Sequence, residues 1–227
     1  MIPVMILAGG FARRLGALTT ATPKSLLPIA GVPFLVHQLD GLKTLGLTDV
    51  IVLTGHLGSQ IEAVIGGGHD LGKTIRYVED GPTPRGTGGA IRAALPIQSP
   101  LFFTLYGDVL IDFDPAVMLK TLDDTISLGC MGVTAQHRER HNVEYFNHYI
   151  LRYDNAGPLG AMNRIDAGVH LFHTSAFQYW PQGLTFPLDL VFQRLILAKA
   201  LAGVSLAGPV QQIGTPDGLE ELRALAR

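Results

Sequence analysis

The chain has 227 residues, 47% of them hydrophobic, enough to bury the core of one large α/β domain. Its 17 basic and 19 acidic side chains leave a formal net charge of −2. That balance argues against a general nucleic-acid or membrane-surface binder, a class that is usually strongly basic. The one cysteine, Cys130, rules out an internal disulfide. No charged n-region precedes the short N-terminal apolar run and no apolar segment reaches transmembrane length, so the expected location is the cytoplasm, with no membrane partner.

In chain order, "PVMILA" (3–8) reads as a buried strand that ends in a Gly-Gly loop. "VPFLVHQLDGLKTLGL" (32–47) has apolar residues at helical spacing, with Pro33 near the start, where a missing N–H costs little. "DVIVLTG" (49–55) is a second buried strand, "GSQIEAVIG" (58–66) a helix closed by glycine, and "KTIRYVED" (73–80) an alternating third strand. "GPTPRGTGG" (81–89) is a loop that runs into the helix "TGGAIRAAL", and "LFFTLYGD" (101–108) is a fourth strand that ends on an aspartate. Strand–helix alternation in units of roughly 25–30 residues predicts a parallel, doubly wound sheet.

After residue 125 the pattern changes. "SLGCMGVTAQ", "HYILRYD" and "IDAGVHLF" read as strands with no long helix between them, an antiparallel extension of the same sheet. A long apolar helix over about 187–202 follows, then one or two short strands in "VSLAGPVQQIG". "TPDGLEELRALA" closes the chain as a helix, with Thr215 as N-cap, Pro216 at the first helical position and Asp217 in the first turn. The fold expected is one Rossmann-like α/β domain over 1–227, with a mainly parallel central sheet, an antiparallel extension and helices on both faces. Residues 1–125 carry the strand–helix alternation and 126–227 the antiparallel extension and closing helices.

The chemistry concentrates at the first strand's end. "ILAGGFARRLGALTTATPKSLLPIAG" (6–31) holds Arg13, Arg14 and Lys24 and no acid; the first acidic residue of the chain is Asp40. Ligands of parallel α/β sheets bind beyond the carboxyl ends of the strands. Gly9 and Gly10 there let a ligand approach the backbone and its N–H groups, which favour phosphate. The cations add full charge, Arg as a two-donor fork and Lys as a point charge. The same residues also suit an ordinary glycine turn with solvated arginines. There is no G-x-x-x-x-G-K-[ST] and no G-x-G-x-x-G after the first strand, so neither a P-loop nor a nicotinamide site is expected.

"LAGGFARRLGALTTATPKSLLPIAGVPFL" resembles the signature of sugar-1-phosphate nucleotidyltransferases, and "PRGTGGAI", "YGD", "RYDNAG", "IDAGVHLF" and "IGTPDGLEEL" continue the resemblance in the family's order over essentially the whole chain. Within the family the short chain and "GTGGAI" look most like heptose-1-phosphate guanylyltransferases. The resemblance implies joining a nucleoside triphosphate, GTP favoured, to a sugar 1-phosphate by in-line attack on the α-phosphorus with Mg²⁺, releasing pyrophosphate. It assigns Arg14 to the leaving pyrophosphate, Lys24 to phosphate, and Asp108 to the metal. Leu7, Ala8 and Gly9 would lie along base and ribose, with Gly86, Thr87 and Gly88 helping to enclose the base.

The signature departs from the family at several positions. The usual Gly, Thr, Arg after the variable residue reads Ala12, Arg13, Arg14, and Ala12 disfavours positive φ. Arg13 either adds a phosphate-binding cation or points to solvent. The family's second metal carboxylate is Gln212, whose oxygen can ligate a hard cation without charge. The lost charge weakens such a site by on the order of a few kcal/mol at an effective dielectric of about 20. Where relatives place a sugar-phosphate lysine stands Asn155, with Arg152 or Arg164 as alternative cations. Asp166, followed by Gly168, either accepts from sugar hydroxyls or caps its strand.

"HRERH" (137–141) lacks the H-E-x-x-H order and reads as solvated surface; His56 ends the second strand, Tyr179 and Trp180 end a short helix, and Asp112 and Asp114 form turns before Pro115. Gln212 and Asn155 also motivate a second reading, a nucleotide-sugar-binding regulatory protein with weakened turnover. Homo-oligomerisation is left open by the sequence.

Overall fold

The computed structural model describes residues 1–135, 141–155 and 161–225. In chain order the first half forms β1 (Val4–Leu7), β2 (Pro28–Ile29), β3 (Val32–Pro33), α1 (Phe34–Thr44), β4 (Asp49–Thr54), α2 (Gly58–Ile65), β5 (Thr74–Glu79), α3 (Gly86–Ala94), β6 (Leu101–Tyr106) and β7 (Val109–Leu110). The second half forms α4 (Pro115–Asp124), β8 (Gly129–Thr134), β9 (Val143–Phe146), β10 (Tyr149–Tyr153), β11 (Ile165–His173), α5 (Asp189–Leu197), β12 (Leu201–Ser205), β13 (Gln211–Gln212) and α6 (Pro216–Leu225). The fold is mixed α/β, as the strand–helix alternation predicts.

The chain groups into two compact units: Met1–Pro84 with Leu105–Leu110 and Gln211–Arg227, and Arg85–Thr104 with Ile111–Val210. In the first unit β5, β4 and β1 run side by side and parallel, with Leu53 paired to both Leu7 and Val78. Val50, Val52, Leu53 and Ile6 are 1% exposed or less. These are the continuous apolar runs expected of strands covered on both faces.

In the second unit β11, β8, β12, β10 and β9 follow one another. β11 and β8 are antiparallel, β8 and β12 parallel, and β10 antiparallel to both β12 and β9. Phe102, Phe172, Phe177 and Phe192 pack together as buried rings, with centroids 5.4–6.1 Å apart where they meet. Cys130 on β8 is fully buried, and burial pushes its thiol up to about 12, so it behaves as a small apolar residue.

Several elements differ from expectation, among them the short strands β2, β3 and β7, which the sequence reading does not contain. The apolar run over 187–202 is split: α5 stops at Leu197, Lys199 turns with φ +54°, and Leu201 begins a strand. Pairing of Leu201–Ser205 with Gly129–Val133 satisfies backbone groups that a longer helix would withhold from the sheet. β9 has no counterpart in the sequence reading. Asp114, read as a turn residue, is the N-cap of α4: its carboxylate accepts from Ala116 N–H at 2.8 Å and Pro115 opens the helix. Asp114→Ala is expected to cost about 1 kcal/mol and lower the calorimetric melting midpoint by about 2–4 °C.

Candidate active site

The first unit is discontinuous in sequence, and its two returning segments complete the site. Leu105–Leu110 brings in Asp108, and Gln211–Arg227 brings in Gln212 and Gly214. β13 pairs with β7, Gln212 opposite Val109, and Ile213 N–H donates to Asp108 O at 2.9 Å. That ladder sets Gln212 beside Asp108.

An apolar cluster fixes the opening loop against the same place. Leu15, Leu27, Ile29, Phe34, Ile213, Leu219 and Leu222 are buried together, with Ala12 and Leu110 packed on them. Arg14 precedes Leu15 and Gly214 follows Ile213, so burying the two apolar residues holds their polar neighbours at one rim. Pro23 leads into a tight 3₁₀ turn, Lys24–Leu26, in which Ser25 and Leu26 are buried and Lys24 is left facing the rim.

Lys24 Nζ donates to Asp108 Oδ2 at 2.6 Å, with side chains 20% and 16% exposed. A Cβ added to Gly214 would lie 3.0 Å from Asp108 Oδ2, 3.4 Å from Arg14 Nη2 and 3.5 Å from Gln212 Oε1. Three of the expected groups and the Lys24 partner therefore converge on a spot that only glycine leaves clear. Arg14 is exposed and makes no hydrogen bond or ion pair with the described residues. One cation of the site is paired with a carboxylate and another is open to an anion.

Leu7, Ala8 and Gly9 are half-buried and Gly10 is exposed, as a strand end meeting a ligand requires. Ala8 N–H donates to Leu53 O at 2.9 Å, tying the end of β1 to β4. Ala12 does adopt positive φ, +48°, despite its methyl group. Leu15 N–H and Thr19 Oγ1 both donate to its carbonyl, at 2.9 and 3.3 Å. The side chain of Arg13 lies outside the described residues. His56 stacks on Phe11 with ring centroids 5.1 Å apart.

The remaining candidates belong to the second unit. Gly88 and Gly89 N–H donate to Phe186 O at 3.0 and 3.1 Å, and Thr87 Oγ1 accepts from Leu188 N–H at 2.8 Å. Gly86 turns with φ +70° ahead of them. Asp166 has a side chain only 3% exposed. Its Oδ1 accepts from Gly168 N–H at 2.8 Å and bonds His170 Nε2 at 2.9 Å, while His170 Nδ1 meets Thr104 Oγ1 at 2.9 Å. These bonds brace an irregularity of β11 between Asp166 and His170, where Gly168 has φ +80°.

Asn155 sits within a hydrogen-bond network. Its Nδ2 donates to Tyr153 OH at 2.9 Å and Asp189 Oδ2 at 3.0 Å, and its Oδ1 accepts from Asn142 Nδ2 at 2.7 Å. Arg164 stacks over Tyr145 and donates to Asn163 O, and Arg152 lies 3.9 Å from Glu144. The segment "HRERH", apart from His141, lies outside the described residues.

Sequence reasoning missed Gly214 and Gln38. Gln38 on α1 is 2% exposed and donates to Tyr106 O and Val109 O, on either side of the Asp108 turn. A polar residue on the stripe Phe34, Leu35, Leu39, Leu42 was the available signal.

Among the described residues no group of three or more His, Cys, Asp and Glu could hold a metal ion. Asp108 and Gln212 nevertheless offer one charged and one neutral oxygen donor at the same spot. That set suits Mg²⁺, which is bound through one or two carboxylates and takes its other ligands from substrate phosphates and water.

Gly10, Arg14, Lys24 and Asp108 thus belong to the first unit, beside the strand end that the sequence singles out. The chain belongs to the family of the MobA-like NTP transferase domain, which it matches over residues 4–207, and its relatives are sugar-1-phosphate nucleotidyltransferases. It is 40% identical over 228 residues to N-acetylmuramate alpha-1-phosphate uridylyltransferase of Neisseria meningitidis, covering 98% of this chain and 97% of that protein. It is 27% identical over 234 residues to mannose-1-phosphate guanylyltransferase of Mycobacterium tuberculosis, covering 95% of this chain and 62% of that protein. HddC from Yersinia pseudotuberculosis has the same fold, with TM-score 0.83 at 21% identity and full coverage of both chains. No helix among the described residues is long and apolar enough to cross a membrane.

The crowding at Gly214 is directly testable. Gly214→Ala is expected to shift the melting midpoint by less than about 2 °C. The displaced Asp108 carboxylate is expected to cut turnover about tenfold or more, because small misplacements of reacting groups are costly. Wild-type turnover in that variant, measured as pyrophosphate release, would contradict the geometry.

Proposed function

We propose that the protein transfers a nucleotidyl group from GTP or UTP to a sugar 1-phosphate, releasing pyrophosphate. The observation that carries this reading is the convergence of Asp108, Arg14 and Gln212 on Gly214, with Lys24 on Asp108. The 40% identity to a uridylyltransferase and the 27% identity to a guanylyltransferase support the choice of donors. N-acetylmuramate and mannose 1-phosphates are the acceptors to try first.

In this reading an oxygen of the sugar phosphate attacks the α-phosphorus in line. The bond from that phosphorus to the β-phosphate oxygen breaks, and pyrophosphate leaves. No covalent intermediate is required. The chain supplies position and charge rather than a nucleophile. Arg14, open to an anion, grips the departing pyrophosphate with two donors. Lys24 leaves Asp108 for the α-phosphoryl oxygens, where negative charge accumulates. Leu7, Ala8, Gly9 and Gly10 line the nucleoside, and Arg13 adds positive charge at the phosphate end; base contacts by Gly86, Thr87 and Gly88 of the second unit are what the family resemblance implies. Asp166, Gly168 and Asn155 stand on the sugar side. Asp108 and Gln212 would hold Mg²⁺, which when bound neutralises phosphate charge.

The assay is pyrophosphate release from purified protein with Mg²⁺, each common NTP and a panel of sugar 1-phosphates. Turnover with GTP or UTP and one acceptor is expected; ligand binding without product across the panel would overturn the reading in favour of a sensor. Restoring the second carboxylate tests the metal assignment. Gln212→Asp is expected to lower the Mg²⁺ concentration for half-maximal activity about tenfold, because an added charge at such a site is worth more than 1 kcal/mol. An unchanged metal requirement would remove Gln212 from the site.

A further inference from the structure

Four hydrogen bonds to backbone groups are among those that hold the turn that carries Asp108, and one side chain makes two of them. Gly107 N–H donates to Leu7 O at 3.0 Å, and Ile213 N–H donates to Asp108 O at 2.9 Å. The other two come from Gln38, whose Nε2 donates to Tyr106 O at 2.9 Å and to Val109 O at 2.7 Å. The two carbonyls flank Gly107-Asp108, so one NH₂ group spans the turn and fixes where it bends.

The same side chain carries a penalty. Its Oε1 is buried and has no hydrogen-bond partner among the described residues. Burying an acceptor without a partner costs free energy, and a leucine or methionine would continue the apolar stripe of α1 without that cost. The amide cannot be turned round to find relief: Oε1 would then face two carbonyl oxygens, acceptor against acceptor. The two carbonyls beside Asp108 call for an amide at this position.

We propose that Gln38 is a positioning residue for Asp108, holding the carboxylate where Lys24 and Gln212 meet it and where it can take a metal. The inference rests on the metal-holding role given to Asp108 above. Gln38 touches neither nucleotide nor metal. Its effect passes through the backbone of residues 106–109. Losing the clip lets the turn relax, and the carboxylate then loses the register with Gln212 that the β7–β13 ladder otherwise sets.

Calorimetric binding of GTP or UTP, whichever turns over in the panel, separates this role from a merely structural one. Each titration is run without acceptor, once with Mg²⁺ and once with EDTA. Wild type is expected to bind more tightly with Mg²⁺. In Gln38→Met that metal-dependent gain is expected to shrink about tenfold, while the affinity in EDTA stays within about twofold. Asp108→Asn should abolish the gain. Gln38→Asn keeps a buried amide but is one carbon too short to span both carbonyls; it should show an intermediate gain, and it decides the matter if the methionine variant does not fold. A wild-type gain in a folded Gln38 variant, or equal losses with and without Mg²⁺, would overturn the proposal. Wild type that binds no nucleotide defeats the functional reading itself. Wild type that binds nucleotide without any Mg²⁺ effect takes the metal role from Asp108, and this inference falls with it.

Discussion

The contact between Lys24 and Asp108 is the constraint on which the rest of the site depends. Both side chains are largely withdrawn from water, at 20% and 16% exposure, and each would be costly there alone. At 2.6 Å they neutralise one another. Breaking such a pair costs between the roughly 1 kcal/mol of exposed pairs and the roughly 3–5 kcal/mol of buried ones. The pair therefore stores a cation and a carboxylate close together before any ligand arrives. In the proposed reaction a polyphosphate would compete for the ammonium and a divalent ion for the carboxylate, so both partners would be exchanged without leaving either charge bare.

That arrangement needs three distant pieces of chain to meet, and apolar burial is what brings them together. Leu15 from the opening loop, Phe34 from α1, Ile213 beside β13 and Leu219 and Leu222 from α6 share one cluster. Each such side chain contributes about 1.5–3 kcal/mol when fully buried. No single polar contact at the rim matches their sum. The catalytic geometry is thus set from beneath: Arg14 and Gly214 face each other because the residues next to them are buried side by side.

Much of this was legible in the sequence and some was not. β1, β4 and β6 announce themselves as apolar runs bounded by glycine or aspartate and β5 as an alternating one, and the cations of the opening loop stand out because no acid precedes Asp40. Asp108 could be placed because a strand visibly ends on it. The split of 187–202 into α5 and β12 could not, since a continuous apolar run satisfies either period and only pairing with β8 decides. Asn155 was read as a ligand by its place in a motif; its hydrogen bonds to Asn142 and Asp189, 13 and 34 residues away, could not be read from the sequence. Gly214 could not be singled out from the sequence because its importance lies in what would strike a methyl group there.

Ala12 shows how the loop tolerates an unfavourable residue. The sequence predicts resistance to positive φ, and the backbone adopts +48° regardless. A side chain in the left-handed region costs roughly 1–2 kcal/mol. Two hydrogen bonds converge on the Ala12 carbonyl, and the residue packs on the cluster around Leu15. The conformation is imposed by contacts on both sides of the residue rather than chosen by it. A glycine would make the same turn without strain but would also let it open in the free protein. The methyl group, held against the cluster, gives up local comfort and helps keep Arg14 at the rim.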